Sequence, residues 1–269
     1  IGMRIVDKPK RSLGQNFLID KNIIKKIVKI GNIDKTKTVV EIGPGYGSLT
    51  NEILLAKPKK IIAIEKDKKI SKFLNDKYKN CKNLKIINND VLELISKKRM
   101  HNDVIVFGNL PYNISTKILA SLITKNQWPP WYNVLIFMFQ KEVANRILAR
   151  SNTKDFGRLA ILANWRLEVK KHFDISKNCF FPKPKVNSTL LSFRPKKNYF
   201  KFKNPSNLEK ITQIFFSNRR KMINKNFKKI FGKNISLLQD LNIDLSKRPE
   251  QLTNDMFYKI VLKYEELTN

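Results

Sequence analysis

The run Gly43-Pro44-Gly45-Tyr46-Gly47, set directly behind the apolar stretch Thr38-Val39-Val40-Glu41-Ile42, constrains this 269-residue chain more than any other feature. Alternating glycines break both strand and helix, so the segment reads as a sharp turn from a first strand into a helix running to about Leu55. Such a turn lets the backbone approach a ligand closely, and the helix behind it offers free N–H groups. The spacing is G-x-G-x-G, which departs from the G-x-G-x-x-G of the dinucleotide fingerprint. Four further apolar segments, Lys60–Glu65, Leu84–Ile87, Asp103–Phe107 and Asn133–Phe139, alternate with amphipathic stretches. That alternation predicts βαβ units and an α/β fold with a parallel sheet.

Downstream, the pattern predicts helices over 141–149 and around 157–164, a β-like stretch 168–175, and a last strand near 188–193. The loop Arg194–Asn204, rich in lysine and aromatics, marks a boundary. The expected division is a Rossmann-like domain over 1–195, with a basic N-terminal arm, and a smaller α-helical domain over 196–269. In the latter, Leu208, Ile211, Ile214 and Phe215, then Phe227, Ile230 and Phe231, then a segment near 256–262 recur at helical spacing. Upstream, Asp20 is placed to cap a helix bearing Ile23, Ile24, Ile27 and Ile30, and Lys8–Leu18 reads as a basic loop.

With 42% hydrophobic residues the chain can pack a core, which excludes a disordered tail protein. Lys+Arg number 54 against 22 Asp+Glu, a formal charge of +32, so a polyanionic partner is expected. Residues 196–269 hold 16 basic and 7 acidic side chains, so the excess is spread over both parts of the chain. Abundant Lys beside Ile and Asn is also what an AT-rich genome produces. Cys81 and Cys179 form no CxxC pair, so neither a disulfide framework nor a zinc site is expected, and a reducing cytoplasm suits them. No apolar run resembles a secretory leader or a membrane span. A soluble cytoplasmic protein is the expectation.

Three acidic or amide positions follow strands in order. Glu65 closes the second strand, twenty positions past Gly45, where a carboxylate can accept hydrogen bonds from two ribose hydroxyls; Asp90 follows the third strand, where a base would lie. After the fourth strand comes Asn109-Leu110-Pro111-Tyr112. An exocyclic amino group on adenine or cytosine is a poor nucleophile because its lone pair is delocalised into the ring. Two acceptors on its N–H groups restore nucleophilicity, and the Asn109 side-chain oxygen and the Leu110 carbonyl are suited to that. Pro111 restricts the backbone beside that carbonyl, and Tyr112 offers a face for an extruded base. His101 and His172 sit in no catalytic constellation and read as surface or structural residues.

The pairing of Glu41-Ile42-Gly43-Pro44-Gly45-Tyr46-Gly47 with Asn109-Leu110-Pro111-Tyr112 resembles the ribosomal RNA adenine dimethyltransferases, which use S-adenosylmethionine. The likeness extends to Arg11-Ser12-Leu13-Gly14-Gln15-Asn16-Phe17-Leu18, Phe139-Gln140-Lys141-Glu142-Val143, Phe180-Phe181-Pro182-Lys183-Pro184-Lys185-Val186-Asn187-Ser188 and Asn218-Arg219-Arg220-Lys221. It is nearest the bacterial small-subunit type, which dimethylates two adjacent adenines in the hairpin near the 3′ end of that rRNA. The resemblance implies cofactor contacts from Asn16, Leu18, Gly43, Gly45, Glu65, Asp90 and Asn109. It implies that Asn109 and Tyr112 hold the adenine, with Phe180 as a second aromatic face. Lys183 interrupts the family's proline run, which should alter loop stiffness and add a phosphate contact. RNA contacts are expected from Lys8, Lys10 and Arg11 and from Arg219, Arg220 and Lys221, with the assembling small subunit as partner and a monomer as the working state. Two alternatives stay open: the large-subunit dimethyltransferase of macrolide resistance, whose motif usually has Ile where Leu110 stands, and a non-catalytic nucleic-acid-binding relative. A DNA adenine methyltransferase would more often carry Asp-Pro-Pro-Tyr.

Overall fold

Apolar runs bounded by glycine, proline and charge become strands at almost the expected limits in the computed structural model, which describes residues 15–95, 103–125, 127–232 and 240–268. They are β1 (Phe17–Leu18), β2 (Thr38–Ile42), β3 (Lys60–Glu65), β4 (Leu84–Asn88), β5 (Val104–Gly108), β6 (Val134–Gln140), β7 (Leu167–Ile175), β8 (Phe180–Phe181) and β9 (Ser188–Pro195). Seven form one sheet in the order β4-β3-β2-β5-β6-β9-β7. β2 through β6 run parallel, and β9 pairs antiparallel with β6. The order runs outward from β2 in both directions, so β2 and β5 flank the switch point where ligands of open α/β sheets bind. β5 and β6 are buried almost throughout, as a central strand covered on both faces must be.

The helices are α1 (Lys21–Ile30), α2 (Ser48–Leu55), α3 (Lys68–Lys77), α4 (Val91–Leu94), α5 (Ser115–Thr124), α6 (Lys141–Leu148), α7 (Arg158–Arg166), α8 (Ser206–Phe216), α9 (Asn224–Phe231) and α10 (Asn254–Leu267). Asp20 caps α1 by accepting from the amides of Asn22 and Ile23, and Ile24, Ile27 and Val28 bury the inner face. Asp67 caps α3 in the same way through Lys69 and Ile70. Among the described residues no helix is long and apolar enough to cross a membrane.

The chain divides into two compact units, residues 1–144 with 169–195, and residues 145–168 with 196–269. The expected break at 195/196 is thus one of three, and 145–168 leaves the N-terminal part to which the sequence reading gave it. Side-chain contacts explain why. Trp165 of α7 stacks on Phe202 with ring centroids 4.7 Å apart, and the Tyr258 hydroxyl of α10 donates to the Ile161 carbonyl at 2.7 Å. Within the same unit the buried Glu265 carboxylate accepts from the amides of Lys203 and Asn204 and from the Asn207 side chain, so its charge is fully partnered.

One reading is corrected. Phe17 and Leu18, expected within a loop, form β1 and pair antiparallel with β8, Phe17 opposite Phe181 and Leu18 opposite Phe180. The partner strand lies some 160 positions away, and a two-residue strand has no periodicity of its own. The arm residues Lys8, Lys10 and Arg11 and the histidine His101 fall outside the described residues.

Candidate active site

The glycine turn leaves β2 with Gly43, Gly45 and Gly47 all at positive φ. At Gly45, and at Gly47 against the Tyr78 hydroxyl, a side chain is excluded by space as well as by backbone conformation, whereas at Gly43 the backbone conformation alone excludes it. A Cβ on Gly45 would press into the Phe17 ring at 2.6 Å, and one on Gly43 would stand 3.4 Å from the Asn109 carbonyl oxygen. The first contact seats the turn on β1.

Glu65, at the end of β3, is 7% exposed. Its Oε1 accepts from the Asp67 amide at 2.9 Å and its Oε2 from the Gly45 amide at 3.3 Å. Burial pushes this carboxyl above its ordinary range, and the two amides act in the opposite direction. Asp90 caps α4, with Oδ1 on the Leu92 amide and Oδ2 on the Lys66 ammonium, both at 2.9 Å. Burial would raise Asp90, but the Lys66 and Leu92 bonds outweigh it and hold the group below the usual carboxylate range. Beneath the turn, Glu41 is 1% exposed and accepts from the Thr50 hydroxyl at 2.7 Å. Burial moves its pKa up to about 7 against the pull of that bond.

Across the switch point, Asn109 donates its side-chain N–H to the Asn16 carbonyl at 2.8 Å. The nitrogen end of the amide is thereby occupied, and the oxygen end is the one left to accept. Leu110 buries its side chain at 2% exposure and anchors the loop. The Tyr112 hydroxyl lies 2.7 Å from the Ser188 hydroxyl at the start of β9. Burial raises the phenol, opposed by that hydrogen bond.

These residues enclose a cleft of about 200 Å³. Asn16, Gly43, Gly45, Glu65 and Asp90 line one side, and Asn109, Leu110, Pro111 and Tyr112 the other. Two site candidates are not on its wall. Leu18 and Phe180, paired across β1 and β8, are 4% and 3% exposed and pack in the core with Ile24 and Ile27. Three pairings are visible only in the folded chain: Ser188 fixes Tyr112, Lys66 holds Asp90, and the Asn16 main chain orients Asn109. Of the basic trio 219–221, Arg219 pairs with Glu250 at 2.7 Å, whereas Arg220 and Lys221 are exposed. His172 lies 2.8 Å from the Ser192 hydroxyl, away from the cleft wall.

The cleft suits an adenosyl ligand. A recessed carboxylate flanks a glycine turn held at positive φ, and a second carboxylate lies at the next strand end along the sheet. The amide acceptor of Asn109 faces this set across one strand spacing.

A family model described as ribosomal RNA adenine dimethylase matches residues 6–266. The chain is 48% identical over 260 residues to ribosomal RNA small subunit methyltransferase A of Pelagibacter ubique, covering 97% of this chain and 98% of that protein. A dimethyladenosine transferase from Plasmodium falciparum superposes with a TM-score of 0.78 at 26% identity, covering 93% of this chain and 98% of the other. The 23S rRNA methyltransferase ErmE shares the fold at a TM-score of 0.65 and 19% identity, covering 93% and 99%.

Proposed function

The chain belongs to the ribosomal RNA adenine dimethylase family, and from that premise we propose that it methylates N6 twice on each of two adjacent adenines in the 3′-terminal hairpin of small-subunit rRNA. It is an rRNA adenine dimethyltransferase of the small-subunit type that uses S-adenosylmethionine. The observation that carries the site assignment is the Asn109 amide, held nitrogen-end on Asn16 and opposed to the glycine turn.

The cofactor supplies a methyl group already activated on a sulfonium, so alignment and desolvation matter more than acid–base catalysis. Glu65 would accept from the ribose hydroxyls and Asp90 from the adenine edge of the bound cofactor. Asn109 Oδ1 and the Leu110 carbonyl accept from the target amino group and turn its lone pair toward the methyl carbon. When bound, S-adenosylmethionine would supply the methyl carbon that N6 attacks as the carbon–sulfur bond breaks, giving S-adenosylhomocysteine, with the amino proton passing to solvent. Tyr112, steadied by Ser188, stacks on the extruded base. After the first transfer N6 keeps one hydrogen, so one acceptor must suffice for the second.

Arg220 and Lys221 of the helical unit, and Lys8, Lys10 and Arg11 of the arm, neutralise RNA phosphates, so log K should fall with log salt by about 0.7 to 0.9 per phosphate. The enzyme acts in the cytoplasm, as a monomer, on assembling small subunits. Supplying radiolabelled methyl donor with undermethylated small subunits, large subunits and free rRNA tests the proposal. Label on adjacent adenines of the small subunit, located by mass spectrometry, is the expected result; label confined to large subunits would refute it.

A further inference from the structure

Phe181 is 46% exposed, which is unusual for a phenylalanine in a strand. It lies directly opposite Phe17 in the β1–β8 ladder. Residues opposite each other in an antiparallel pair project their side chains to the same face. Phe17 is among the residues lining the cleft and its ring packs against Gly45, whereas Leu18 is not on that wall, so Phe181 shares the face of the ladder nearer the cleft. The segment that follows returns to the site at its other end, where Ser188 holds the Tyr112 hydroxyl. Between these two attachments Lys183, Lys185 and Val186 are exposed, and no acidic residue interrupts 180–188. An exposed ring followed by two cations is the composition of a single-strand RNA platform, in which a base stacks on the aromatic face and its phosphates meet the lysines.

We propose that Phe181, with Lys183 and Lys185, binds the nucleotide adjoining the target adenine, so that residues 181–188 form a second base-binding position beside the methyl-transfer cleft. The inference rests on the rRNA reading of that cleft and extends it from one base to two. Adjacent substrate adenines give this position a purpose: while one is in the cleft, its neighbour has a surface to stack on. The chemistry selected is an unpaired base with a flanking phosphate, and a duplex would not satisfy it.

Phe181→Ala, Phe181→Trp and Lys183→Gln, assayed on undermethylated small subunits, test this. Phe181→Ala should raise KM about tenfold, by more than any fall in kcat, in keeping with the loss of one stacked base. Phe181→Trp should restore KM to within about twofold, because any flat ring serves. Lys183→Gln should lower the salt slope of binding by about one phosphate's share. Calorimetric titration of each variant with S-adenosylhomocysteine reports whether the fold and cofactor site are intact. A wild-type KM in Phe181→Ala, or a Phe181→Trp variant as weak as the alanine, would overturn the second position while leaving the transferase reading standing. Failure of the wild-type protein to methylate any ribosomal particle would instead overturn that reading, and the inference with it.

Discussion

On the glycine-turn side of the cleft, Glu65 reaches its amide partners across 20 and 2 positions of chain, whereas on the far side Asn109 depends on Asn16, 93 positions away, and Tyr112 on Ser188, 76 away. The first wall, Asn16 apart, comes from the successive strand ends of β2, β3 and β4 and is organised largely by main-chain donors. The second is assembled from three separated segments joined by side chains. The first wall offers carboxylates to a ligand and the second offers an amide and a ring, so damage to the two should register in different observables.

The widest separation is expected from Asn109→Ala. Methyl transfer in a single turnover should slow by on the order of 10³-fold, the scale for removing one preorganised transition-state contact, while cofactor affinity changes only a fewfold. A variant with ordinary turnover would erase the distinction between the walls. Next is Glu41→Gln, which probes the first wall through stability. A carboxyl with an ordinary pKa near 4.5 unfolded and about 7 folded is held neutral by the fold. Its contribution is full below the unfolded value and is lost as pH rises through the folded one, a difference of about 3 kcal/mol. Denaturant titrations at pH 5 and pH 8 should therefore show Glu41→Gln gaining on the wild type at the higher pH by about that amount. An equal offset at both values would contradict the buried, neutral carboxyl.

Glu65→Gln should weaken cofactor binding roughly thirtyfold, the loss of charge-assisted bonds worth about 2 kcal/mol, with the rate at saturating cofactor less affected. Should that rate fall as far as in Asn109→Ala, the division of labour would be wrong. The smallest effect belongs to Ser188→Ala, which leaves Tyr112 without its partner and should cost about 1 kcal/mol, seen as a severalfold lower kcat with unchanged cofactor affinity.

The same contrast explains what could be read before the fold was known. The strands Thr38–Ile42 and Lys60–Glu65 carry their own limits, since glycine or charge stops each apolar run, and Glu65 and Asp90 follow from counting along successive strand ends. The cap on α1 was legible because Asp20 sits beside the amides it accepts from. Residues whose partners are distant in the chain were not. Ser188 looks like an ordinary strand residue until Tyr112 is brought to it, and Phe17–Leu18 carries no alternation that would mark it as a strand. Phe180 was read through its motif as a stacking face, yet its pairing with Leu18 turns it into the core. Likewise, nothing local says that 145–168 groups with the C-terminal helices, because Trp165 and Ile161 find Phe202 and Tyr258 only in the folded unit.

Ile42 and Gly108 are register partners in the β2–β5 ladder, and the next residue of each strand begins one of the two facing loops. The two loop starts are consequently one rung of the sheet apart, roughly 4.8 Å, a spacing set by the hydrogen bonds of the ladder. For an enzyme that methylates one nitrogen twice, with a bulkier target the second time, the two facing loops thus start from a spacing that the sheet itself sets.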